Sequence, residues 1–323
     1  MQRRDFLASA GWAAAGAGLG VRAAPVAAQD GQAGTGRLAV AVARTFAVGQ
    51  ARVTALADGY LAVGSEVLAG ITEEDFARLT AEAHRPTSPH VIGVNAYLIE
   101  TAGQRILVDT GTGPLFGPTL GDLPANLTAL GIAPDTIDTV VATHLHPDHI
   151  GGVVAGDAMP FPNAGLIVSE TDRAFWTDAA IEAQTPADLQ GFFDAAQGAL
   201  ARFGERVIPV EGQADLGHGM TALPLPGHTV GHMGVLLEDS GAQLLIWGDV
   251  MHFPAIQFRR PDVTVGFDTD PDQARRTRMK AFDMVAQDQM MVAGMHLDFP
   301  GVGHVERAAE GYRFVPQGYP YVV

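Results

Sequence analysis

The stretch Thr143-His144-Leu145-His146-Pro147-Asp148-His149-Ile150-Gly151-Gly152 constrains this chain more than any other part of it. Three imidazoles and a carboxylate fall within six consecutive residues. Just before it, Ile137-Asp138-Thr139-Val140-Val141-Ala142 is apolar and β-branched, the pattern of a buried strand ending in a loop. Alternate residues of an extended segment point the same way, so His144 and His146 converge on one point. Pro147 stops the strand and turns the chain, and Asp148 and His149 then face a second point nearby. That geometry serves two metal ions lying close together. Nitrogen and oxygen donors of intermediate hardness suit zinc first, with manganese, cobalt or iron also compatible. A lone histidine is ordinarily a packed or surface residue. Four ligand-type residues at one strand end, followed by Gly-Gly, are hard to explain by packing.

The second half repeats this logic. Met220 to Leu225 reads as a strand and leads into Pro226-Gly227-His228-Thr229-Val230-Gly231-His232. The apolar run Leu244-Leu245-Ile246-Trp247 ends in Gly248-Asp249, and Met290 to Met295 ends in His296. Three further strand ends therefore present His228, Asp249 and His296, which complete a two-metal donor set.

Local patterns supply the elements between. Arg52 to Asp58 alternates as a strand and is read as turning at Asp58-Gly59. Thr72 is a helix N-cap followed by acids, and that helix runs to about His84. Residues 93–99 and 105–109 pair as a hairpin, and the second strand ends in Asp109-Thr110-Gly111. Helices are expected near 121–131, 170–181 and 186–203, and from Pro271 to about Gln287. The middle pair carries Phe175, Trp176, Phe192 and Phe193.

Composition narrows the function. The chain has 323 residues, 47% hydrophobic and 17% charged, enough to bury a large core. Its net charge of −16 disfavours nucleic acid and anionic membranes as partners. The run Arg275-Arg276-Thr277-Arg278-Met279-Lys280 sits in a helical pattern and reads as a solvated face. There is no cysteine, which excludes disulfides and thiolate ligands. Arg3-Arg4-Asp5-Phe6-Leu7 resembles the twin-arginine export motif. A weakly apolar Ala/Gly stretch follows, and Val26-Ala27-Ala28 offers a cleavage site. Residues 1–28 are thus expected to be a Tat signal peptide and 29–36 a flexible leader. The Tat translocase is the expected partner during export, and the periplasm or another extracytoplasmic space the expected location.

The H-x-H-x-D-H pattern resembles the signature of the metallo-β-lactamase fold superfamily. Stretches spread over the chain make it more similar to the methyl parathion hydrolase and lactonase-like family. They include residues 113–121, Phe161-Pro162-Asn163-Ala164, Gly191-Phe192-Phe193, residues 299–304 and residues 311–316. The resemblance implies an α/β (α+β) fold, an αβ/βα sandwich of two mixed sheets flanked by helices, with metals at one edge. Residues 37–323 would form one hydrolase domain. His144, His146 and His228 would hold one metal, Asp148, His149 and His296 the second, and Asp249 would bridge them. Asp109 would orient metal-bound imidazoles by accepting their other N–H. Phe116, Trp176 and Phe192 or Phe193 would line the leaving-group pocket, and a homodimer is the family expectation.

The activity so implied is hydrolysis of lactones, aryl esters or phosphotriesters by a hydroxide bridging the metals, with Asp148 and Asp249 as the catalytic carboxylates. A glyoxalase II-like thioesterase shares the donor set. A periplasmic metal-binding protein without activity is the alternative from another class, and the intact seven donors argue against it. Of the other histidines, His84, His90 and His218 read as surface or loop residues and His232 as structural. His252 stands where that family carries an apolar residue. Neither it nor His304 is read as a metal ligand. Glu66-Val67-Leu68-Ala69-Gly70 lacks the basic, substrate-facing loop of methyl parathion hydrolase.

Overall fold

A computed structural model describes residues 42–154, 156 and 158–318. The twin-arginine segment and the leader lie outside the described residues. The first half runs through β1 (Ala43–Val48), β2 (Ala51–Val63), a short β3 (Leu68–Ala69), α1 (Glu73–Glu82), β4 (His90–Thr101) and β5 (Gln104–Val108). It continues with α2 (Leu123–Ala129), β6 (Thr139–Val141), the single turn α3 (Pro147–Ile150) and β7 (Gly165–Ser169). Helices α4 (Glu170–Trp176), α5 (Ala179–Glu182) and α6 (Gln190–Phe203) then lead to β8 (Val207–Val210). The second half holds β9 (Ala214–Gly217), β10 (Met220–Pro224), β11 (Met233–Asp239), β12 (Ala242–Ile246) and α7 (Pro254–Gln257). It closes with β13 (Thr264–Val265), α8 (Pro271–Gln287), β14 (Met291–Ala293), β15 (Val302–Arg307) and β16 (Tyr312–Pro316).

Two seven-stranded mixed sheets result, ordered β1-β2-β4-β5-β6-β7-β8 and β16-β15-β14-β12-β11-β10-β9. Strands β5 to β8 pair parallel, as do β12 and β14. Strand alternation sorts the side chains into layers. In β5, Ile106 and Val108 join Val235, Leu244 and Ile246 of the other sheet, while Leu107 turns outward to Leu123, Leu127 and Phe193. In β12, Leu245 likewise turns outward to Phe282 and Val285 of α8. This is the expected sandwich, helices outside and sheets face to face.

Several local expectations need correction. Asp58-Gly59 is not a turn: the register shifts between Ala57 and Gly59, a bulge inside β2. Its purpose is visible in Asp58, whose buried carboxylate accepts N–H bonds from Thr112 at 2.8 Å, Gly121 at 3.2 Å and Leu123 at 3.1 Å. The expected helix over 170–181 breaks into α4 and α5, because Asp178 caps the second with its own side chain. The basic run on α8 is not all solvated. Arg278 is buried and donates to the carbonyls of Val250, Pro261 and Val263 at 2.7, 3.0 and 2.6 Å. His90 is buried too, stacked on Phe253 with ring centroids 5.1 Å apart, whereas His84 and His218 are exposed as expected. His304 lies half-buried on β15.

Candidate metal centre

The centre is assembled where strands of both sheets end. Beyond β6 the chain bends at Thr143 and His144 rather than running on as a strand, is extended at His146 (φ −70°, ψ 152°), and Pro147 then opens α3 at its first position. Asp148 and His149 sit in that turn. The following glycines allow close approach: a Cβ on Gly152 would lie 2.0 Å from the Thr110 carbonyl oxygen. The loop after β10 brings in His228, and there a Cβ on Gly227 (φ +129°) would meet the Ala274 nitrogen of α8 at 2.2 Å. Asp249 follows β12 and His296 follows β14.

All seven predicted donors meet. His144, His146 and His228 form one group, and Asp148, His149, Asp249 and His296 another. The His228 Nε2 to His146 Nδ1 distance is 3.0 Å. Oδ2 of Asp249 lies between the groups, 3.1 Å from His296, 3.2 Å from both His149 and His228, and 3.7 Å from His144. Asp148 Oδ2 is 3.4 Å from His149 and 3.3 Å from His296. Every one of these side chains is buried or nearly so. His144 Nε2, His149 Nε2 and Asp249 Oδ1 have no hydrogen-bond partner although buried. Such atoms are costly to leave unsatisfied, and a cation among them removes the cost.

The outer faces of the imidazoles are held. Asp109, itself at φ 61°, accepts from His149 Nδ1 at 2.7 Å and from the Thr143 N–H and hydroxyl at 2.8 Å each. Asp268 accepts from His228 Nδ1 at 2.9 Å, and the Gly93 carbonyl from His296 Nδ1 at 2.8 Å. His232 donates from Nδ1 to the Leu225 carbonyl and accepts the Asp249 N–H at 2.9 Å, which fixes the Asp249 loop. Buried Asp172 ties two ligand loops together by accepting the N–H of Leu145 at 3.1 Å and of Gly231 at 2.9 Å. Asp172 and Asp268 are absent from the sequence reading. Each is one acid among several in its stretch, and nothing local marks it. His252, singled out in the sequence but not as a ligand, does reach the site, with Nε2 3.0 Å from Asp249 Oδ2.

An aromatic pocket adjoins the first group. His146, Trp176, Phe192 and Phe193 line it with Phe267, Leu189, Thr185 and Thr269, around a cavity of about 20 Å³. Phe192 lies edge-on to His146, centroids 5.0 Å apart. Phe116 departs from expectation. It is half-buried in the loop after β5 and is not among the lining residues. Phe267 takes a wall of the pocket that no periodicity foretold.

Electrostatics follow from burial against the shared carboxylates. Burial opposes protonation of His228 and His296, but Asp249 with Asp268 lifts His228 to about 9, and Asp249 with Asp148 lifts His296 to about 10. Burial pushes His232 down to about 3, helped by the neighbouring His228. In the metal-free fold the raised pKa values stabilise fully below the ordinary histidine value of 6.5 and lose that contribution as pH rises through about 9 to 10. A cation displaces the same protons. His149 is likewise raised, against its burial, well above the ordinary value by Asp249, Asp148 and Asp109. Zinc titration by calorimetry at pH 7 is therefore expected to give enthalpies that depend on the ionisation heat of the buffer, with affinity rising with pH until all three imidazoles have lost the extra proton. Identical enthalpies in all buffers would contradict this charge state.

A two-sheet sandwich with this donor cluster between its strand ends defines a metallo-hydrolase architecture. The chain matches the metallo-beta-lactamase superfamily over residues 91–296 and belongs to it. Among curated relatives it is similar to the N-acyl homoserine lactonase AiiB of Agrobacterium fabrum, 35% identical over 105 residues, 25% of this chain and 38% of that one. An N-acyl homoserine lactonase of Bacillus sp is 28% identical over 176 residues, 46% of this chain and 60% of the relative. The match thus spans less than two thirds of either relative. Two solved structures align further. The hydrolase AbOPH of the beta lactamase superfamily is 30% identical with a TM-score of 0.83, and AidC, a dizinc quorum-quenching lactonase, is 25% identical with a TM-score of 0.81. Each alignment covers 87% of this chain and 99% of the other.

Proposed function

We propose that the chain is a dinuclear metal-dependent hydrolase of lactones and aryl esters, with phosphotriesters as a secondary substrate class. The observation that carries this is the cluster of seven donors around one shared carboxylate, with orphaned buried donor atoms facing inward and an aromatic pocket alongside. His144, His146 and His228 would hold one cation, Asp148, His149 and His296 the other, and Asp249 both. Bound there, divalent cations, zinc first, supply Lewis acidity and a water of lowered pKa. The chain's own residues do the remainder. Asp109, Asp268 and the Gly93 carbonyl keep the imidazoles aimed. Asp148, reaching both His149 and His296, is the carboxylate placed to orient the nucleophile. Trp176 and Phe192 seat the apolar body of the substrate and exclude water. The similarity to AidC supports the lactone reading. Ester and phosphotriester hydrolysis both place negative charge on an oxygen, so one site can serve both. The Arg3-Arg4 segment fits an exported enzyme.

The test is kcat/KM of the zinc- or manganese-loaded chain on dihydrocoumarin and methyl paraoxon side by side. A lactone preference of about 100-fold, or about 2.7 kcal/mol of transition-state discrimination, is expected. The reverse preference makes phosphotriesters the working substrates. No turnover of either by the loaded protein overturns the reading and brings thioesters forward.

A further inference from the structure

Among the described residues, His252 is the one imidazole facing the Asp249 carboxylate that the donor set described above does not use. Its loop is anchored on both sides. It follows Asp249 by three residues, and its backbone N–H and that of Phe253 both bind the Gln257 side-chain oxygen, at 2.7 and 3.0 Å. Its ring stacks on His296 (centroids 4.9 Å apart, 24° between planes) and meets Phe267 edge-on at 5.0 Å. Its Nε2 faces the centre, 3.0 Å from Asp249 Oδ2, and with His228 and Asp249 it forms a third group compact enough to hold a cation. Distance alone would make it an eighth donor.

The far nitrogen decides otherwise. A neutral imidazole carries one proton, and the partner of one nitrogen fixes the state of the other. His149, His228, His296 and His144 each set Nδ1 against an acceptor: Asp109, Asp268, the Gly93 carbonyl and the Thr143 hydroxyl, the last at 3.1 Å. The Thr143 hydroxyl gives its own proton to Asp109 and is free to accept. Each of these rings can keep its proton on Nδ1 and offer the Nε2 lone pair inward, which is what a metal ligand needs. His252 Nδ1 is buried with no partner. A proton there would be an orphaned donor, whereas a proton on Nε2 makes a charge-assisted bond to a carboxylate.

We infer that His252 is a positioning residue and not a cation ligand: it carries its proton on Nε2 and donates it to Asp249 Oδ2, setting the rotation of the shared carboxylate. Oδ1 of Asp249 has no partner among the described residues; with cations bound, the other imidazoles around Oδ2 would turn lone pairs to the metal, and this bond and the His232 contact at the Asp249 N–H would be what hold the group. The inference rests on the metal-centre reading for its consequence but not for its geometry.

Long-range 1H–15N correlation spectra of histidine-labelled protein test it, with His252 assigned by its loss in H252Q. The Nε2–H form of His252 is expected in both metal-free and zinc-loaded protein, while His149, His228 and His296 retain Nδ1–H when zinc is bound. A His252 proton on Nδ1 with Nε2 bound to zinc overturns the inference. A chain that takes up no zinc sinks the metal reading but still reports the His252 tautomer. In chelator competition, H252L is expected to bind zinc ten- to a hundredfold more weakly, on the order of other outer partners of metal ligands. H252Q, whose amide can donate, is expected to recover most of that loss. Zinc affinity in H252L equal to that of the parent would overturn the positioning role.

Discussion

Replacement of Asp249 by alanine is expected to lower kcat/KM on dihydrocoumarin by about 10³-fold or more, equivalent to about 4 kcal/mol of transition-state stabilisation. Five imidazole nitrogens lie within 3.7 Å of its Oδ2: those of His144, His149, His228, His252 and His296. Among the described residues no other carboxylate joins both donor groups. On the proposed reading, removing Asp249 would take a ligand from each cation and the acceptor from His252, so bound zinc should fall together with the rate. The charge, more than the volume, is at issue, and D249N should behave like D249A. The proton balance gives an independent sign. Asp249 is the first carboxylate opposing burial at both His228 and His296. Without it Asp268 and Asp148 still oppose burial, but both pKa values drop, and zinc binding to D249N at pH 7 should release fewer protons than in the parent. Parent-like kcat/KM and zinc content in D249N would refute the shared-ligand role.

The donors were legible in sequence for a physical reason. Metal chemistry needs particular atoms, and strand ends deliver them as short runs in which residue type reports function. His144 to His149 lie in one such run, and His228, Asp249 and His296 each terminate an apolar strand. The sandwich was legible for a similar reason, since its layers follow strand alternation as in Ile106-Leu107-Val108. What could not be read is whatever depends on the chain returning from elsewhere. Asp268 meets His228 from forty residues further along, and Asp172 reaches two loops at once. Asp58-Gly59 has the composition of a turn, but three N–H groups from residues 112–123 make it a carboxylate cap within a bulged strand. Phe116 and Phe267 exchange roles for the same cause, because a pocket wall is set by how loops fold back and not by any periodicity.

Arg278 carries the other large expectation. Its side chain is buried, and its head group donates to the carbonyls of Val250, Pro261 and Val263. Among the described residues no carboxylate forms an ion pair with it. Burial accordingly lowers its pKa, and the nearest compensation is the more distant charge of Asp268 and Asp262. Three backbone acceptors of the 250–263 loop thus share one planar fork, and a lysine ammonium could not span them. In R278M the Val250 and Pro261 carbonyls would lose the guanidinium and the Val263 carbonyl would keep only the Gln257 amide, and a loss of about 3–5 kcal/mol of stability is expected. For a chain of this size that corresponds to roughly 10 °C in Tm. Among the described residues the exposed neighbour Arg276 hydrogen-bonds only to the Gln273 side chain, and R276A should leave Tm unchanged. The same loop carries His252 and follows directly on Asp249, so R278M should also weaken zinc binding under conditions where it remains folded. Equal thermal shifts in R278M and R276A would return the whole basic run to the solvated face that its composition suggests. A large shift confined to R278M would identify the cation that ties α8 to the edge of the metal centre.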